Sequence, residues 1–182
     1  QKMDVVNFSN PAAPALITSI SMVPYGGINS IVSKNGIVAV AVENANPQLN
    51  GSVVFFDQNG LFLNQVTVGA MPDMITFNQD YTKVLTANEG EPNATYSVDP
   101  EGSVSIINIA GGIAALTQAN VTNISLSQYN GQEVALRAQG IRIFTSSASV
   151  AQDLEPEYIA VSTDNTKAYV TLQENNALLT ID

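Results

Sequence analysis

The chain has 182 residues, 45% hydrophobic and 12% charged, a composition that supports a packed core and excludes a disordered segment. Six lysines and arginines stand against sixteen aspartates and glutamates, and the resulting net charge of -10 argues against nucleic acid as a partner, because phosphate binding needs clustered cations. Cysteine and histidine are absent, which removes disulfides, thiolate and imidazole metal sites, and every catalytic scheme built on a histidine base.

Taken in order, the chain opens on a predicted strand over Met3–Phe8 and continues with another over Leu16–Met22. From Gly26 a unit begins that is written three times: strand, polar turn, strand, then an acidic or amide-rich loop. It reads GGINSIVSKNGIVAVAVEN from Gly26, MPDMITFNQDYTKVLTANE from Met71 and EPEYIAVSTDNTKAYVTLQEN from Glu155. The inner strand pairs are expected at Ile28–Ser33 with Ile37–Val42, Met74–Asn78 with Val84–Ala87, and Tyr158–Ser162 with Ala168–Leu172. They turn at Asn35-Gly36, Asp80-Tyr81 and Asp164-Asn165, residue types that tolerate tight hairpins. An outermost strand follows each pair, over Ser52–Asp57, Ser103–Ile109 and Ala177–Asp182, with Met3–Phe8 as its equivalent at the start. A fourth strand per unit is expected from Leu16–Met22, Leu61–Val68 and part of Ile113–Leu126. The segment 111–153 reads as an insertion between the second and third units, with one helix over Gln132–Gln139.

No such unit buries its apolar face alone, so repetition implies units packed side by side around a shared core. The first two copies start 45 residues apart, which is blade spacing. The expected fold is all-β: a β-propeller with about three four-stranded blades, forming a single partial domain over residues 1–182. Propellers close with about four to eight blades. The chain therefore reads as part of a longer propeller, or as one whose ring other copies or subunits complete. Open strand edges would then be available to other surface proteins or to copies of the chain itself. No run reaches the 18 apolar residues that a membrane helix needs, and the scarcity of long charged side chains favours a secreted or cell-surface protein.

In a propeller the loops sort onto two faces. Glu43, Asp73, Glu89, Glu91, Asp99, Glu101, Asp153, Glu155, Glu157 and Glu174 fall in or beside loops that enter or leave the inner strand pairs, whereas Lys34, Lys83 and Lys167 fall at the opposite turns. Two windows, NEGEPNATYSVDPEG from Asn88 and AQDLEPEY from Ala151, hold most of the acidity. Carboxylates with amide and carbonyl oxygens are the donors calcium selects, so Glu89, Glu91, Asp99, Glu101, Asp153, Glu155 and Glu157 are the candidate metal ligands. The alternative is that these are solvated loops. Arg137, and Arg142 within a GIRIF strand from Gly140, are the arginines of the chain; they are candidates to clamp phosphate or to pair with the acidic loops.

The strings NEGEP, DPEGSVSII, GIRIF, VAQDLEPEYIAVS and AYVTLQENNAL resemble the choice-of-anchor I domain family, secreted bacterial proteins often labelled alkaline-phosphatase-like. The resemblance covers roughly residues 23–182. It implies a β-propeller, export, attachment to the cell surface through a sorting segment, and full-length members longer than this chain. Two functions stay open on these residues: a non-catalytic, calcium-stabilised binding and assembly module, or a calcium-dependent phosphoesterase of the phytase type, in which metals neutralise phosphate and activate water.

Overall fold

The computed structural model describes residues 1–144 and 147–182; residues 145 and 146, inside the expected insertion, lie outside the described residues. Among the described residues the strands form four antiparallel sheets. Strands β1 (Lys2–Asn7) and β2 (Ala15–Ser21) pair with each other. Strands β3 (Gly27–Lys34), β4 (Ile37–Glu43), β5 (Asn50–Asp57) and β6 (Phe62–Ala70) form a four-stranded sheet in that order. A second four-stranded sheet runs β7 (Pro72–Phe77), β8 (Lys83–Asn88), β9 (Ser103–Asn108) and β10 (Val121–Ser125). A three-stranded sheet follows from β11 (Tyr158–Val161), β12 (Ala168–Leu172) and β13 (Ala177–Ile181). Two short helices, α1 (Glu133–Ala138) and α2 (Val150–Asp153), lie between β10 and β11.

Four expectations are corrected. The strands expected to be outermost at Ser52–Asp57 and Ser103–Ile109 are third in their sheets, with β6 and β10 outside them. The reason is burial: Val53, Val54, Phe55 and Phe56 are essentially inaccessible, so both faces of β5 are covered and its apolar residues do not alternate with polar ones. The strand that follows each of these closes the same sheet, β6 through a short hairpin and β10 after a longer connection with two 3-10 turns. Between β5 and β6, Asp57 Oδ1 accepts from the backbone amides of Asn59 and Leu61, both at 2.8 Å, and Gly60 takes φ 82°. The third sheet has three strands among the described residues rather than four, and the strand expected over Leu16–Met22 as a unit's fourth strand is β2, which pairs with β1 in a sheet of its own. Finally, residues 140–144 form no strand; Ile143 is buried there and the Arg142 amide donates to Asn175 O at 2.9 Å.

The sheets stack face to face through three apolar layers. Met3 and Met22 meet Val40, Val42, Val54 and Phe56; the opposite face of that sheet, with Ala39, Val53 and Phe55, meets Ile75, Val84 and Ile107. The third layer joins Leu85, Ala87 and Val104 to Ile159, Val170 and Leu179, with Leu136, Val150 and Leu154 filling in from the helical segment. Each fully buried Val or Phe contributes about 1.5–3 kcal/mol. Strand β7 lies against β3 and β4 on one side and β11 on the other, so the first strands of the three larger sheets stand side by side.

One end of the sheets is sealed by polar turns. Lys34 Nζ donates to the carbonyls of Asn78 and Gln79, and Asn165 Oδ1 accepts from the Gln79 amide at 2.7 Å, so the turns of three successive sheets are linked in a row. Asn35, Tyr81 and Asn165 adopt positive φ of 51°, 63° and 59° at these turns. The other end carries the long loops after β8 and before β11 and a cluster of carboxylates that includes Glu89, Glu91 and Glu155.

Candidate functional site: an acidic cleft between two sheets

The loop after β8 and the segment before β11 meet at the junction of the second and third sheets. Glycine makes that approach possible. Gly90, at φ 71°, runs so close to the Glu101 carbonyl that a Cβ would sit 2.8 Å from it. At Gly102 a Cβ would overlap the Leu154 carbonyl and come within 2.7 Å of Pro156 Cδ, and the Gly102 amide donates to Ala151 O at 2.9 Å. The same Gly–Pro seat recurs one sheet earlier, where Gly51 lies under Pro72.

Above this junction opens a cleft of about 690 Å³, whose walls include Glu89, Glu91, Asp99, Asp153, Glu155 and Glu174. Aromatic and apolar side chains complete it, among them Met71, Tyr96 and Phe144, and no lysine or arginine is among the lining residues. Five of the seven expected ligands are thus brought together. Glu101 faces a neighbouring groove, where Ser125 Oγ lies 3.5 Å from its carboxylate. Glu157 does not line the cleft but feels the charges of Glu174 and Asp73.

The electrostatics follow from crowding without compensation. Burial, then the charges of Asp73, Glu155, Glu91 and Glu157, push the Glu89 carboxyl up to about 7. Burial, then Glu174, Glu91, Asp153 and Glu157, push Glu155 up to about 7 as well. Burial raises Asp99, Glu157 and Asp73 too, with Asp153 adding to the effect at Asp99. Asp153 is held differently: its two carboxylate oxygens accept from the Phe144 amide at 3.0 and 2.9 Å. Among the described residues no three carboxylates converge closely enough to hold a metal ion by themselves. An ion held here would complete its shell with carbonyl and water oxygens, as hard cations do.

The arginines are engaged elsewhere. Arg137 Nε and Nη2 both donate to Ile143 O, at 3.1 and 2.8 Å; Arg142 Nη2 donates to Gln173 O at 3.1 Å, and its guanidinium lies 5.9 Å from the Phe144 ring centroid. The ion pairs among the described residues are Lys2 with Asp4 and Lys167 with Asp182, both away from the cleft.

Two supports of the cleft were not legible in the sequence. Asn175, with no exposed surface, donates through Nδ2 to Arg142 O at 2.9 Å and Asp153 O at 2.7 Å, and accepts at Oδ1 from the Glu155 amide at 3.2 Å. Its neighbour Asn176 is an exposed turn residue at φ 53°, so two adjacent asparagines in QENNAL have opposite roles that their identity does not reveal. Gln152 is the second support. It closes a capping box with Ser149, which starts α2, and its Nε2 donates to Asp99 O at 2.6 Å. The S-x-x-Q spacing was the available signal.

The Choice-of-anchor I domain family matches the chain over residues 1–182. The chain belongs to that family. Family membership implies a bacterial surface or secreted protein. No helix among the described residues is long and apolar enough to cross a membrane. No curated protein matches the chain significantly. Among solved structures, all of it superposes on 46% of a chain from Kuenenia stuttgartiensis hydrazine synthase, at TM-score 0.59 and 13% identity. In addition, 98% of it superposes on 46% of a chain from a mitotic checkpoint complex, at TM-score 0.52 and 9% identity. At these identities the likeness concerns the fold alone. The chain spans less than half the length of either solved chain.

Proposed function

We propose that this family member is part of an extracellular β-propeller that serves as a non-catalytic binding and assembly module, with its acidic cleft receiving calcium or another cation. The four sheets are read as successive blades, two of them incomplete, and the free edge of β13 as a place where other surface proteins or a second copy pair. The observation that carries the cation reading is the cleft itself: six carboxylates on its walls and no cationic side chain among them. Calcium rests on the oxygen-only donor set and the charge. No observation favours the phosphoesterase alternative, since both arginines are bonded to backbone carbonyls and the cleft charge repels phosphate.

A thermal melt in EDTA and again with calcium tests the reading. A ligand bound only by the folded state at 100 times its Kd adds about 2.7 kcal/mol, so the midpoint rises by several degrees, and Glu89→Gln with Glu155→Gln removes the rise. An unchanged midpoint overturns the calcium part of the reading.

A further inference from the structure

We infer that the Asp99–Pro100 bond is a self-cleavage site, at which the Asp99 side chain severs its own peptide bond and leaves two fragments held in one fold. This is the single Asp-Pro dipeptide in the chain, and it lies in the loop between β8 and β9, at the cleft wall.

Three features of the bond converge. The carbonyl oxygen of Asp99 accepts a 2.6 Å hydrogen bond from Gln152 Nε2, a donor aimed where negative charge develops when that carbonyl is attacked. The donor is fixed in place, because Gln152 Oε1 accepts from the Ser149 amide at 2.8 Å and the Gln152 amide donates to Ser149 Oγ at 3.2 Å. The second feature is the nucleophile: Asp99 Oδ1 is buried without a hydrogen-bond partner among the described residues, so no bond is lost when it attacks. The third is the leaving group, since the proline nitrogen of a tertiary amide takes up a proton more readily than an ordinary peptide nitrogen.

The step balances with water alone. An Asp99 carboxylate oxygen bonds to the Asp99 carbonyl carbon and closes a five-membered ring, gaining the rate advantage of an intramolecular reaction. The bond to Pro100 breaks, and its nitrogen takes a proton from water. The hydroxide left behind opens the resulting cyclic anhydride, restoring the Asp99 side chain and freeing its main-chain carboxyl group. In sum one peptide bond is hydrolysed and one water consumed. The flanking strands stay paired, Asn88 with Ser103 through Lys83 with Asn108, so residues 1–99 and 100–182 remain associated. The product carries a cationic amine at Pro100, beside a cleft whose lining has no cation.

The test compares the purified chain folded and in about 6 M guanidinium at the same mildly acidic pH, followed by intact mass, so that ordinary Asp-Pro lability is the baseline. Folded protein is expected to yield fragments 1–99 and 100–182 at least about tenfold faster than the unfolded chain, the effect of one placed donor on the attacked carbonyl. The two fragments should co-elute under native conditions and separate under denaturing ones. Asp99→Ala abolishes the reaction, and Gln152→Leu returns the rate to the unfolded baseline. Cleavage of the folded chain no faster than the unfolded one overturns the inference, as does a Gln152→Leu protein that folds and cleaves at the parental rate.

Discussion

Acidic side chains sit at both ends of the same sheets under opposite conditions. At the turn end, Asp80 accepts from Thr82 Oγ1 and Asn78 Nδ2, both at 2.7 Å, and from the Thr82 amide at 3.1 Å, which lowers its carboxyl. Asp164 accepts from Ser162 Oγ at 2.7 Å and from the amide and hydroxyl of Thr166, which hold it at about 2. At the cleft end, burial and like charge push Glu89 and Glu155 up to about 7. The difference lies in the donors. Short loops with Ser, Thr and Asn surround an aspartate with hydrogen bonds, whereas the cleft packs carboxylates against one another and against apolar side chains.

The comparison can be broken most sharply at Asn175, which ties Asp153, Glu155 and Arg142 together from beneath the cleft. Asn175→Leu leaves buried backbone groups unsatisfied and is expected to lower the unfolding free energy by about 3 kcal/mol in denaturant titration. A loss under about 1 kcal/mol would mean that the cleft wall is held by other contacts.

The next effect is one of pH. A carboxyl raised in the folded state stabilises the fold while protonated; that stability is complete below the unfolded value of 4.5 and is lost as pH rises through about 7. In metal-free buffer the melting temperature should therefore fall over this window. Glu89→Gln and Glu155→Gln should flatten the fall and stabilise the protein at alkaline pH by about 1 kcal/mol each, after discounting for water at the open side of the cleft. A melting temperature that is flat over the window in the parent chain would contradict the crowding described here.

The smallest effect has the opposite sign. At the turn end, Asp164→Asn should lower the melting temperature slightly at neutral pH, because a lowered carboxyl stabilises the fold above its unfolded value of 3.8. That contribution disappears as pH falls toward about 2. An Asp164→Asn protein more stable than the parent at neutral pH would remove the contrast between the two ends.

Much of the fold was legible because its determinants are local. The turn residues Asn35-Gly36 and Asp164-Asn165 set hairpins where expected, and IVAVAVE and SVVFFD form strands where expected. The rank of a strand within its sheet was not legible, since SVVFFD carries no mark that β6 lies beyond it. The expected helix over Gln132–Gln139 is the six-residue α1, Glu133–Ala138, which buries Leu136.

The sequence by itself determined the acidity, the absence of histidine and cysteine chemistry, the repeated strand pairs and the turns, all properties of composition or of residues adjacent in the chain. Only the tertiary structure decided which acids meet. Glu89 and Glu155 are distant in the chain and become neighbours because the second and third sheets stack on a shared apolar layer, with Gly90 and Gly102 allowing their backbones to touch. Burial of Asn175 and the aim of Gln152 at the Asp99 carbonyl were decided in the same way, because the direction of a side chain depends on the packing around it.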